Sequence, residues 1–127
     1  MASEQYTIIA ATAGAALTQY QAVKLSSGDV IPTTAGDEVL YGIVQYDAAS
    51  GDEVAVQVDG TGLALVDGSG TAIAVGDDLM AGSGGKLVKA VATTGNIYIG
   101  RALGASSGDG DFIKVQLSGA NQYVVPA

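Results

Sequence analysis

Several short segments of this chain hold residue types that could do chemistry. Gly104-Ala105-Ser106-Ser107-Gly108 has the G-x-S-x-G spacing of a nucleophile elbow, in which a tight strand-to-helix turn presents a serine hydroxyl. Such a serine needs a histidine to take its proton, and the chain has 0 histidines and no helix signal after this run. Asp59-Gly60-Thr61-Gly62 and Asp67-Gly68-Ser69-Gly70 approach the Asp-Thr/Ser-Gly loops of aspartic proteases, with one glycine too many. Asp-Gly is also the strongest short hairpin signal, so both runs are predicted as turns. Asp109-Gly110-Asp111 offers two carboxylates to a cation, but calcium takes roughly six to eight oxygens and no further acidic ligand follows at a useful spacing. A solvated acidic turn is predicted there. Gly82-Ser83-Gly84-Gly85-Lys86 has the flavour of a phosphate loop, yet Met80 and Leu87 stand where that loop needs Gly and Ser or Thr. Lys89 lies inside an apolar run, not at the tip of a hairpin where a lipoyl or biotinyl lysine sits. With 0 cysteines as well, thiol nucleophiles and the usual zinc ligands are missing together. The expectation is no catalytic residue, no cofactor and no metal.

The elements that would position these groups read as strands. In Val54-Ala55-Val56-Gln57-Val58-Asp59 three valines share one face, and in Phe112–Leu117 the residues Ile113, Val115 and Leu117 do the same. Period two marks half-buried strands. Gln21–Leu25, Val39–Tyr46, Leu63–Val66, Lys86–Ala92 and Ile97–Leu103 are further candidates, each bounded by Gly, Asp or Ser. Ala10–Tyr20 is alanine-rich but carries Gly14 and two threonines, which weakens any helix.

The chain also repeats itself. Leu25–Pro32 stands beside Ala81–Val88, Tyr41–Val44 beside Ile99–Ala102, and Ala48–Asp52 beside Ala105–Asp109. Val54, Val56, Val58 and Gly60 then match Ile113, Val115, Leu117 and Gly119. The matched glycines lie 57 to 59 positions apart (Gly28 and Gly85, Gly60 and Gly119), a drift that loop insertions produce. The predicted organisation is an arm over 1–20 and a β domain over 21–127, with pseudo-repeats at about 22–60 and 78–119.

Length and charge bound the rest. A compact chain of 127 residues exposes about 6,200 Å² and buries about two-thirds of its unfolded surface, enough for one modest core. The 19 glycines accompany only 2 prolines, which suits turns between strands. Five basic against 13 acidic residues give a net charge of −8, too few cations for a nucleic-acid or anionic-membrane partner. No basic leader precedes Tyr6–Ala11 and no apolar run reaches membrane length, so a soluble protein made in a cytoplasm is expected. The tyrosines are scattered singly, Trp is absent and Phe occurs once, which argues against a carbohydrate-binding platform. Arg101 is the only arginine, too little for a dUTPase-like phosphate site.

Ala22-Val23-Lys24-Leu25, Gly28–Pro32, Gly42-Ile43-Val44, Ala48–Asp52 and the Val54–Gly60 strand, followed by Val75–Leu79, Gly85–Val88 and Gly100–Leu103, resemble the capsid cement or decoration proteins of tailed phages. The likeness covers roughly Gln21 to Gly119 and rests on glycine and small-residue punctuation. It implies an all-β fold, a small β-barrel or β-tulip-like domain of short strands, bound to the outside of an assembled capsid. It also implies a homotrimer that braces the major capsid protein lattice on the virion exterior. The alternative is a β-type binding module of a phage fibre or an adhesin. The segment Met1–Tyr20 departs from the simplest members. Within it Tyr6, Thr7, Ile8 and Ile9 form a β-prone stretch, expected either to bind the capsid or a neighbour by strand addition or to be the first strand of the domain's own sheet.

Overall fold

The computed structural model describes residues 6–119 and 122–126, and within them the chain is β structure with one short 3-10 turn at Ser83–Gly85. The strands are β1 (Tyr6–Thr12), β2 (Ala22–Ser26), β3 (Asp29–Pro32), β4 (Gly42–Val44), β5 (Glu53–Asp67) and β6 (Asp78–Ala81). They continue with β7 (Leu87–Lys89), β8 (Ile97–Tyr98), β9 (Gly100–Ala102), β10 (Asp109–Leu117) and β11 (Tyr123–Val124). The alanine-rich stretch after Ala10 is not a helix: β1 runs to Thr12 and a bridged loop follows.

The second half of β5 pairs with β10, β10 with β9, β9 with β6 and β6 with β7, all antiparallel. A parallel contact between Leu87 and Val66 joins β7 back to β5 and closes a five-stranded barrel. The first half of β5 heads a ring of the same order. It pairs with β4, β4 with β2 and β2 with β3, while β1 lies along its other side. A parallel bridge between Ala13, just past β1, and Val30 of β3 completes that ring.

The correspondence extends to single hydrogen bonds. Leu17 and Ala48 exchange backbone bonds of 2.8 and 3.0 Å, and Ile73 and Ser106 do likewise at the same lengths. Tyr20 N–H donates to Val44 O as Gly76 N–H donates to Ala102 O, both at 2.8 Å, and both donors have positive φ. These matches reach upstream of residue 22: β1 stands to the first ring as the second half of β5 stands to the second.

Period two holds over Val54–Val56 and Phe112–Leu117 and lapses at Val58, which is half-buried beside a buried Gln57. Val54 and Val56 face inward at 0% exposure, and Ile113, Val115 and Leu117 are buried while Phe112 points out. Burying each such valine contributes roughly 1.5–3 kcal/mol. The expectation of one core is corrected, because each ring has its own. Val23, Val30, Val44, Val54 and Val56 fill the first; Leu79, Leu87, Ile99, Ala102 and Val115 sit in the second. Rings of five short strands enclose little volume, so a few Val-sized side chains fill each. Ala22, Leu40 and Ile43 of the first ring pack into the second core and join the two.

The Asp59–Gly62 turn is also corrected. Those residues lie in mid-strand, where β5 crosses from one barrel to the other. Gly60 takes a φ of +83°, a conformation that L side chains rarely adopt, and this lets the strand change direction without ending. Gln57, only 4% exposed, donates 2.9 Å bonds from Nε2 to Asp59 O and Thr61 O and so satisfies the carbonyls that the crossing frees.

Candidate interaction surface

The reactive-looking residues are held in structural roles. Ser106 Oγ, in a segment bridged to Ile73 and followed by a strand, donates to Asp111 Oδ2 at 2.8 Å, lies 3.1 Å from Gly108 O and accepts from Gly108 N–H. A serine so engaged, with no helix behind it, is a loop lock and not an elbow. Asp67 Oδ1 accepts from Ser69 Oγ at 2.6 Å and Ser69 N–H at 2.9 Å, which lowers its carboxyl pKa and folds the Asp67-Gly68-Ser69 turn. Asp109 begins β10 and pairs with Lys86 Nζ at 2.7 Å. Gly82–Lys86 is the β6–β7 turn, and Lys89 ends β7 with Asp77 3.7 Å away. Among the described residues, no cluster of three or more Asp or Glu could hold a metal ion, and no helix is long and apolar enough to cross a membrane.

One buried-edge carboxylate has a folding role. Partial burial raises the Glu38 pKa. Lys24 Nζ, Thr34 N–H and Oγ1 (2.6 and 2.7 Å) and Ala35 N–H (3.0 Å) more than offset this and bring it down from 4.5 to about 2. The pair ties β2 to the loop that leads into β4.

Of the four N-terminal residues singled out by sequence, the side chain of Tyr6 lies outside the described residues. Thr7 binds Asp59 through its N–H (2.7 Å) and its hydroxyl (3.2 Å). A bulge between Thr7 and Ile8 leaves Ile8 facing outward at 40% exposure, while Ile9 packs against the first core. The whole of Tyr6–Thr12 is paired with β5 of the same chain.

The outward faces of β1 and β5 meet where β5 crosses between the barrels. Ile8, Leu63 (42% exposed) and Ala55 wall a shallow groove of about 410 Å³, with Gln57 and Thr61 in its floor. None of the described residues that line it is charged. At its margin the Tyr20 ring meets the Phe112 ring edge-on, 5.5 Å apart at 76°, and Phe112 stands 53% exposed. Thr61 Oγ1 is shielded from water and has no hydrogen-bond partner. Sequence reasoning missed Tyr20, Leu63 and Phe112 as a group. The available signal was an apolar residue on the outward phase of strands whose inward phase was already Val, Ile or Ala.

Tandem five-stranded barrels sharing one long strand define the class, a small all-β protein. The sequence profile of the phage cement protein family matches residues 2–117, and the chain belongs to that family of virion proteins. No curated protein matches the chain. Among solved structures it is similar to the base of the head fiber protein gp8.5 (N-terminal part) of bacteriophage phi29. The identity is 21% and the TM-score 0.67, covering 90% of this chain and 95% of that one. That likeness shows the shared fold.

Proposed function

We propose that this chain binds the outer surface of an assembled phage capsid and stabilises the major capsid protein lattice, with no enzymatic activity of its own. The observation that carries this reading is the family match, which runs from residue 2 to residue 117 and so takes in both barrels and β1. The physical design suits bracing. Closed rings leave few strand edges to aggregate, and a strand common to both barrels resists shear between them. In this reading copies of the chain associate with one another, as a homotrimer, on the capsid exterior after synthesis in the host cytoplasm. Neither nucleic acid nor membrane is a partner, because the −8 charge repels polyanions. Within Tyr6–Ile9, the exposed Ile8 is the side chain offered to capsid or neighbour. Adding β1 to a neighbour's sheet would pull Ile9 and Ala11 from the first core.

The likeness to a head fiber base favours a second reading, in which the module roots a fibre on the head. Purified protein mixed with capsids that lack it separates the readings. Saturable co-sedimentation with a higher capsid melting temperature supports bracing. Binding with no change in capsid stability supports a fibre root. No binding to capsids refutes both.

A further inference from the structure

We infer that the concavity on the outside of the second barrel, bounded by β6, β9, β10 and β11, is a binding site for a neutral sugar. The register of three strands builds it. Arg101 of β9 is paired with Asp78 of β6 on one side and with Gln116 of β10 on the other, so three exposed side chains form a row across the sheet. Residues directly opposite on adjacent strands have Cβ atoms about 5 Å apart. Ser118 follows β10, and the Tyr98 and Tyr123 rings, 5.5 Å apart and tilted at 55°, complete a pocket of about 250 Å³. These tyrosines are far apart in the sequence, and the pairing of β8 with β11 brings them together. Tyr123 lies beyond residue 117, where the family match ends, so half of the aromatic wall comes from outside the matched region.

The fold leaves these side chains uncommitted. Gln19, Gln21, Gln45, Gln57 and Gln122 all bind the chain through their amides. Among the described residues, the Gln116 amide, the Ser118 hydroxyl and the two tyrosine hydroxyls of the pocket make no hydrogen bond to the chain. Arg101 approaches Asp78 Oδ1 only to 3.8 Å, beyond hydrogen-bond reach, with its side chain 62% exposed. Chemistry then selects the ligand. The two charges in the described lining, Asp78 and Arg101, cancel, and a chain at −8 repels anions, so phosphates and acidic sugars are disfavoured. An apolar peptide would leave the carboxylate, guanidinium and amide facing it without partners. A sugar's hydroxyls meet all three: the carboxylate accepts, the guanidinium donates and the amide does both. Its C–H face lies against the ring of Tyr123, which is 55% exposed. Weak contacts of this kind add up to firm attachment where many copies sit on one particle.

NMR titration of the isotope-labelled full chain with free glucose, galactose, mannose and N-acetylglucosamine tests this, with glycerol and glucuronate as controls. At least one of these neutral sugars should shift the Tyr98, Arg101 and Gln116 resonances, with a Kd on the order of 1 mM, as expected for so small a ligand. Glycerol should leave them unmoved, and glucuronate should bind on the order of 10-fold more weakly because its carboxylate meets Asp78. D78N and Y123A should each weaken the sugar on the order of 10-fold, while L25S, on the first barrel, titrates like the parent. All three residues are exposed, so circular dichroism of the variants should match the parent. The inference is overturned if none of these sugars shifts those resonances at about 50 mM. It is equally overturned if glycerol shifts them as much, an adventitious polyol contact only, if glucuronate binds more tightly, or if D78N titrates like the parent. The free chain is titrated throughout, so these outcomes leave the capsid reading to its own co-sedimentation assay.

Discussion

Gly42 and Gly100 hold matching places, Gly42 opening β4 opposite β5 and Gly100 opening β9 opposite β10. A Cβ on Gly42 would lie 2.4 Å from Gln57 O, and one on Gly100 would lie 2.4 Å from Gln116 O. Ordinary contact begins near 3.4 Å, so either Gly→Ala change must move two hydrogen-bonded strands apart by about 1 Å, from a spacing of about 4.8 Å. The obstacle is backbone, which cannot swing aside as a side-chain end would. Overpacking of this kind costs about 1–3 kcal/mol, and the lengthened ladder bonds put these sites at the upper end, about 2–3 kcal/mol. For a chain of this size that lowers the melting temperature on the order of 10 °C. G42A and G100A should therefore lose similar stability in urea and thermal denaturation. G70A should lose under about 0.5 kcal/mol, because nothing lies within 4 Å of the added methyl. A loss below about 0.5 kcal/mol at either Gly42 or Gly100, or a large loss at one only, would refute the matched-ring argument.

The remaining expectations are simpler to check. Gln57→Leu keeps the volume but strips two carbonyls at the crossing of their donor, so urea titration should show a loss of about 2–3 kcal/mol. Glu38 has a folded pKa of about 2, below its ordinary 4.5. Its contribution is therefore complete above pH 4.5 and lost as pH falls toward 2, and amounts to at most about 3 kcal/mol before solvent screening. Wild type should lose more stability than E38Q between about pH 6 and about pH 2.5, conditions that span most of that window; parallel curves would contradict the assignment. Because β5 belongs to both rings, calorimetry should give one transition whose van't Hoff and calorimetric enthalpies agree. Two resolved transitions would mean that the barrels unfold separately.

Much of this fold was legible because inward valines and isoleucines alternate with polar residues in strands such as Val54–Asp59 and Phe112–Leu117. The likeness between the halves was legible in the glycines, since Gly42 and Gly100 face the same backbone obstacle and no other residue fits. Its upstream reach was hidden. Ala11 and Ala13 stand in the first ring where Ala64 and Val66 stand in the second, set against Val54 and Val30 as those are against Ile113 and Leu87, but small inward residues over so short a stretch carry little signal. The Asp-Gly signal at Asp59-Gly60 misled for a local reason: the positive φ that makes a turn also lets a strand change direction, and pairing with Tyr6 of β1 and Leu117 of β10 keeps Gly60 within the strand. The grouping of Ile8, Tyr20 and Leu63 around one groove was illegible because they come together only in the folded chain.

The most direct measurement of the central claim is an electron cryomicroscopy reconstruction of capsids assembled with and without this protein. The account predicts extra density on the outside of the shell, at ordered lattice positions, into which the tandem barrels fit. A shell identical in the two reconstructions, or density confined to the tail, would contradict it.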